Sequence, residues 1–120
     1  MLKDFEQLGF GPVVRMLASG DRLSPENHKW QDNGGWIYAF VADGEVMYVG
    51  KCTTVLRNRL DAYRFGPDHG KRIREFAIEQ ISNGKEVWLY GLPTDDYEFM
   101  DREERRLIRE YRPPWNRQIL

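Results

Sequence analysis

Glu104 interrupts an otherwise apolar stripe. Met100, Glu104, Leu107, Ile108 and Tyr111 step by four, three, one and three, so they share one face of the helix predicted from Tyr97. Arg59 breaks a second pattern in the same way. On the helix predicted over Val55 to Arg64, the residues Leu56, Arg59, Leu60 and Tyr63 share a face. A charge turned toward a core is costly unless it is paired, hydrogen-bonded or bound to a metal. Three readings follow: a single buried Arg59–Glu104 ion pair, an open site that uses both charges, or side chains that lean outward at the edges of their stripes. Buried pairs often fail to stabilise a fold, which favours a functional reason.

Tyr38 and Tyr48 add phenols to this set. They stand ten positions apart around Asp43-Gly44, a hairpin turn signal. A two-residue loop would point them to opposite faces of the hairpin. A three-residue loop of Ala42, Asp43 and Gly44 would set them opposite each other on one face. Gly44 is suited to the left-handed last position of such a loop, so the longer loop is expected. Strand tyrosines are ordinarily packing residues, and position alone gives these two no chemistry.

The elements that must position these residues are legible in outline. Leu2 to Ser19 reads as a helix in two pieces broken near Gly9-Phe10-Gly11-Pro12, and Gly20 to Gly35 as polar loop. Trp36 to Val41 and Glu45 to Val49 read as paired strands. Gly50 to Thr54 reads as loop, with Thr53 or Thr54 available to cap the helix over Val55 to Arg64. A helix follows over Lys71 to Ser82, stopped by Asn83-Gly84. Glu86 to Gly91 reads as a third strand, and Tyr97 to Glu110 as the last helix, ended by Pro113-Pro114. The fold class is therefore α+β: a small three-stranded antiparallel sheet flanked by helices, with a short N-terminal helical extension. Residues 1–33 are assigned to that extension and its loop, and 34–120 to the main domain.

Composition bounds the partners. The 120 residues suit one domain, and no apolar run approaches the roughly 20 residues of a membrane span. No membrane partner is expected. The start lacks a secretory signal, and Cys52 alone allows no internal disulfide, so a reducing cytoplasm is the default. Net charge is −1, yet Tyr48 to Lys85 carries eight basic residues against four acidic ones. That stretch includes Lys51, Arg57 and Arg59 and could meet phosphates. On charge alone an ordinary solvated helix surface explains it as well.

Trp36-Ile37-Tyr38 and then Tyr48-Val49-Gly50 resemble the two short motifs that name the GIY-YIG nucleases. The likeness continues through Lys51, Arg59-Leu60, Tyr63, Glu104-Arg105-Arg106-Leu107-Ile108 and the closing Pro114-Trp115-Asn116, over about Gly35 to Asn116. The spacing from Glu104 to Asn116 is similar to that in the excision-repair incision nuclease. One departure is plain: Trp36 stands where the family has a glycine, with Gly35 just before it. Altered packing is expected there rather than lost chemistry, since glycine brings no chemical group.

This resemblance implies metal-dependent hydrolysis of DNA phosphodiester bonds. It implies one divalent cation, Mg²⁺ or Mn²⁺, held by Glu104 with most of its waters retained. Tyr38 would be the general base. Its phenol would need help to titrate below its ordinary value of about 10, with Lys51 and the metal as positive neighbours. Arg59 would clamp the scissile phosphate. Tyr48 and Tyr63 would hydrogen-bond to water or phosphate, Asn116 would fix the C-terminal tail and the substrate, and Arg57 would bind substrate from the basic stretch.

His69, beside Asp68, has the chemistry of a metal ligand or proton shuttle. It reads as part of a polar loop to which the resemblance assigns no clear essential group, so it stays outside the set with its role open. His28, Cys52 and Asp95-Asp96 read as surface or turn residues, and Glu103 as solvated. The chain ends four residues past Asn116, so no DNA-reading domain is expected after the core. Targeting would then rest on a partner protein, self-association or DNA structure, and the residues do not separate DNA from RNA. A nucleic-acid-binding or regulatory module without catalysis is the competing function, and a protein-interaction domain with a buried Arg59–Glu104 pair is a third.

Overall fold

Trp36 to Ala42 form β3, and every one of its residues is buried. A strand apolar on both faces must be covered twice, which dictates three layers. In the computed structural model, residues 1–27 and 29–117 are described. His28, read above as a surface residue, lies outside them. The order is α1 (Leu2–Gln7), β1 (Gly11–Ser19), β2 (Arg22–Pro25), β3, β4 (Glu45–Cys52), α2 (Leu56–Phe65), α3 (His69–Ser82), β5 (Val87–Pro93) and α4 (Tyr97–Tyr111). The strands form one antiparallel sheet in the order β2-β1-β5-β3-β4. Tyr38, Phe40, Val14, Met16 and Leu89 pack on the face covered by α2 and α3. Ile37, Ala39, Val41 and Val49 pack on the other, against Phe5 of α1 and Met100, Leu107 and Ile108 of α4.

The sheet has five strands among the described residues, not the expected three. The N-terminal extension is not helical beyond Gln7: β1 pairs with β5 in the sheet interior, and β2 hairpins onto β1. Val13, Met16 and Leu17 fit helical spacing, but Val14 and Met16 also alternate, and in the fold alternation wins because both face the core. Gly20 takes a left-handed φ of 62° in a two-residue turn, where Ser19 pairs with Arg22. The loop expected after Val49 is strand as far as Cys52. Cys52 is buried rather than a surface residue.

The Asp43-Gly44 loop has two residues, not three. Both take positive φ, 45° and 79°, and Ala42 pairs with Glu45. Farther along, the register slips: Val41 faces Val46, but Phe40 faces Tyr48, leaving Met47 as a bulge. That extra residue puts Tyr38 opposite Gly50 and returns Tyr48, two residues away, to the same face as Tyr38. The two phenols share a face as expected, by a different device.

Neither Thr53 nor Thr54 caps α2. Asp32 does so from a distant loop, its carboxylate accepting from the backbone N–H of Leu56 at 2.7 Å and of Arg57 at 2.9 Å. The same carboxylate accepts from the indole N–H of Trp36 at 3.0 Å and of Trp30 at 3.3 Å. Trp36, the departure from the family motif, is thus built into the helix cap. Gly91 leaves room for its ring, because a Cβ there would lie 2.7 Å from it. Asp32→Ala is expected to destabilise the fold by about 1–2 kcal/mol through the lost cap, with part of the loss recovered by Asp32→Asn. Thermal melting of both variants checks this.

Candidate active site

The site is assembled at the β4 margin of the sheet. Tyr38 comes from β3, Tyr48 from β4, and Arg59 and Tyr63 from α2. His69 opens α3, Glu104 comes from the middle of α4, and Asn116 from the tail beyond it. Three phenols cluster first, with ring centroids 6.0 to 6.4 Å apart for Tyr38, Tyr48 and Tyr63. The hydroxyls of Tyr38 and Tyr63 are 2.5 Å apart. The ring of Tyr38 lies over Gly50, where a Cβ would come within 2.6 Å of it. This accounts for the glycine of the second motif.

Burial raises all three phenols above their ordinary value. Tyr38 is enclosed, at 2% exposure, and its shift is strong, reinforced by Tyr48 and opposed by the Tyr63 hydroxyl and the Arg59 charge. Lys51 is not the positive neighbour of Tyr38 that was expected. It alternates with Gly50 and Cys52, faces α4 as Val49 does, and ion-pairs with Asp101.

Tyr48 is the phenol that reaches an opening. Its hydroxyl lies 2.9 Å from Nε2 of His69. Both line a cleft of about 230 Å³ with Val49, Glu104, Ile108, Asn116 and Arg117. A larger concavity, about 850 Å³, lies elsewhere, bounded by Gly11, Trp30, Trp36 and Thr94, and shares no lining residue with this cleft. The smaller cleft is the one that gathers the sequence-predicted residues Tyr48, Glu104 and Asn116. Glu104 is half-buried and makes no hydrogen bond or ion pair among the described residues. Desolvation raises its carboxyl above the ordinary carboxylate value. Lys51, Arg105 and Arg59 oppose that shift, and Asp101 adds to it.

Arg59 is exposed, and no ion pair joins it to Glu104, so a buried pair is not present. Its charge still acts on Tyr38, Tyr48, His69 and Glu104 together. Arg57 lies elsewhere, its guanidinium 4.7 Å from the centre of the Trp30 ring and donating to the Trp30 carbonyl. Asn116 is committed to backbone: its amide accepts from Val49 N–H and donates to Val49 C=O, each at 2.9 Å. With Trp115 N–H donating to the Met47 carbonyl, the tail covers the outer side of β4 as a further strand would. Glu103 is less solvated than expected, its side chain only 12% exposed and paired with Arg106.

His69 is the residue that the sequence placed outside the set. It falls four residues before Ile73 and seven before Phe76, so it shares their stripe on α3. The predicted helix began at Lys71, two residues late, and so left His69 in a loop. Asp101 and Arg117 were missed as well. Both are solvent-facing, and only the fold brings them to Lys51 and to the cleft.

The described chain superposes on bacteriophage T4 EndoII, solved as a mutant, with a TM-score of 0.75 at 20% identity. The match covers 96% of this chain and 98% of that one. It also matches the restriction endonuclease Hpy188I in complex with product DNA, with a TM-score of 0.58 at 21% identity, over 77% of this chain and 60% of that one. Comparison of the sequence with family models and with curated proteins finds no match. The likeness is one of fold: an α+β domain of the kind used by these endonucleases.

Proposed function

We propose that the protein is a metal-dependent endonuclease of the GIY-YIG kind that hydrolyses DNA phosphodiester bonds. The observation that carries this reading is the meeting of Glu104, Tyr48 and His69, from three distant elements, in one open cleft under the charge of Arg59. The fold held in common with EndoII and with a restriction endonuclease bound to product DNA supports it.

Glu104 itself tests the fit of a divalent cation. A partly desolvated carboxylate that faces a cleft and makes no direct ion pair among the described residues is a hard oxygen ligand open to a cation, with Lys51, Arg105 and Arg59 acting on it only from farther off. Among the described residues, no three His, Cys, Asp or Glu side chains stand close enough to cage a metal. A largely hydrated Mg²⁺ or Mn²⁺ held through one carboxylate fits this donor set better than a fully protein-enclosed ion. When bound, such an ion neutralises phosphate charge and makes its waters more acidic.

The remaining roles belong to the chain. Arg59, with no ion-pair partner among the described residues, binds the scissile phosphate through its planar fork. Tyr48 presents its hydroxyl to the attacking water. Tyr38 is enclosed and does not line the cleft, whereas Tyr48 does, so we assign the general-base role to Tyr48 and give Tyr38, through Tyr63, the task of fixing the phenol cluster. Lys51 lowers the Glu104 carboxyl and so favours the ionised form that holds a cation. Asn116 holds the tail that forms one wall of the cleft, and Arg57 anchors the Trp30 loop.

Incubation with supercoiled plasmid should give nicked circles with Mg²⁺ or Mn²⁺ and none with excess EDTA. A protein inert with either metal on plasmid, branched and single-stranded DNA would remove the enzymatic claim. Salt-sensitive binding without cleavage would replace it with a binding module.

A further inference from the structure

We infer that His69 acts through Tyr48 as the proton acceptor of the hydrolytic step, so that the general base is a tyrosine–histidine pair rather than a lone tyrosine. This rests on the endonuclease reading above. The geometry is direct: Nε2 of His69 lies 2.9 Å from the Tyr48 hydroxyl, and both side chains line the cleft that Glu104 enters.

The chemistry requires such a partner. Burial holds Tyr48 in its neutral form, and a neutral phenol can take a proton from water only by giving up its own. Tyr38 and Tyr63 are engaged with each other, Tyr63 also hydrogen-bonds Tyr48, and both are neutral phenols raised by burial, so neither takes up the proton. The groups facing His69 are Tyr48 from β4, Tyr63 and Arg59 from α2, Arg72 from α3, Glu104 across the cleft and Arg117 from the tail. Partial burial, then Arg72, Arg117 and Arg59, lowers the imidazole below its ordinary value. A neutral imidazole with its proton on Nδ1 leaves Nε2 able to accept.

The step balances. The attacking water gives a proton to the Tyr48 oxygen as the Tyr48 proton passes to Nε2. The water oxygen bonds to phosphorus, the bond from phosphorus to the leaving sugar oxygen breaks, and that oxygen takes a proton from solvent. His69 is exposed and returns its proton to bulk water.

Single-turnover nicking of plasmid with Mg²⁺ tests this, alongside DNA binding by fluorescence anisotropy. Because the side chain is exposed, His69→Ala is expected to fold and to bind DNA as the wild type does. It should nick on the order of 10²-fold more slowly, with rate restored in proportion to added imidazole. His69→Gln keeps a hydrogen-bond acceptor near Tyr48 but cannot take up the proton, and should be as slow as His69→Ala without responding to imidazole in the same way. An active wild type with His69→Gln at full rate would overturn the relay and leave the endonuclease standing. So would an active wild type with a slow His69→Ala that imidazole does not rescue. An inert wild type would overturn both.

Discussion

Glu104→Gln is expected to abolish metal-dependent nicking while leaving the fold intact or more stable. The loss should be on the order of 10³-fold, since a catalytic cation contributes several kcal/mol and about 1.4 kcal/mol is tenfold in rate. The direction of the stability change follows from the raised carboxyl. The folded protein holds the Glu104 proton more tightly than the unfolded chain does. The stability due to this group is therefore present at acid pH and declines as pH rises through the raised value. At neutral pH the ionised, partly desolvated carboxylate works against folding, and the amide removes that effect. Melting in EDTA at neutral pH should place Glu104→Gln at or above the wild type. Added Mg²⁺ should raise the wild-type melting temperature and not that of the variant. Nicking retained in Glu104→Gln, or a melting temperature well below that of the wild type, would refute the assignment.

The second large effect belongs to Arg59. Its exposure, with no ion-pair partner among the described residues, means that little folding energy rests on it, so Arg59→Ala should melt within a degree or two of the wild type. Removing a preorganised donor at the phosphate should slow nicking on the order of 10²- to 10³-fold. Arg59→Lys should recover only part of this, because an ammonium cannot reproduce the planar fork. A buried structural role would give the opposite pattern: a large fall in stability and a rate that follows the folded fraction.

The sequence was most informative where a polar residue disturbed a periodic pattern. Glu104 on the Met100–Ile108 stripe marked a helix face that meets the cleft. The same arithmetic put Arg59 on its stripe and left open an outward lean at the stripe's edge, and outward is where it points. It stands at the margin of its stripe, where a long side chain turns out to solvent. The hairpin, α2 to α4 and β5 were legible because Asp43-Gly44, Asn83-Gly84 and Pro113-Pro114 punctuate them. β1 was not, because Val13 to Leu17 satisfies two periods at once, and only its pairing with β5 decides between them. The N-cap of α2 was hidden for a different reason: Asp32 lies 24 residues from Leu56, the first residue of that helix. His69 was read as loop because the helix boundary was misplaced by two residues, an error that carries a side chain from a stripe into a loop.

The Met47 bulge makes the candidate site a question of parity. Since side chains alternate across a strand, the number of residues between Gly44 and Tyr48 decides which layer of helices receives the Tyr48 phenol. Loss of one residue from that stretch would turn the hydroxyl toward α4, away from His69 and Tyr63. Addition of one would do the same. Redesign or drift can therefore alter the length of this hairpin only in steps of two, however tolerant its solvent-exposed turn.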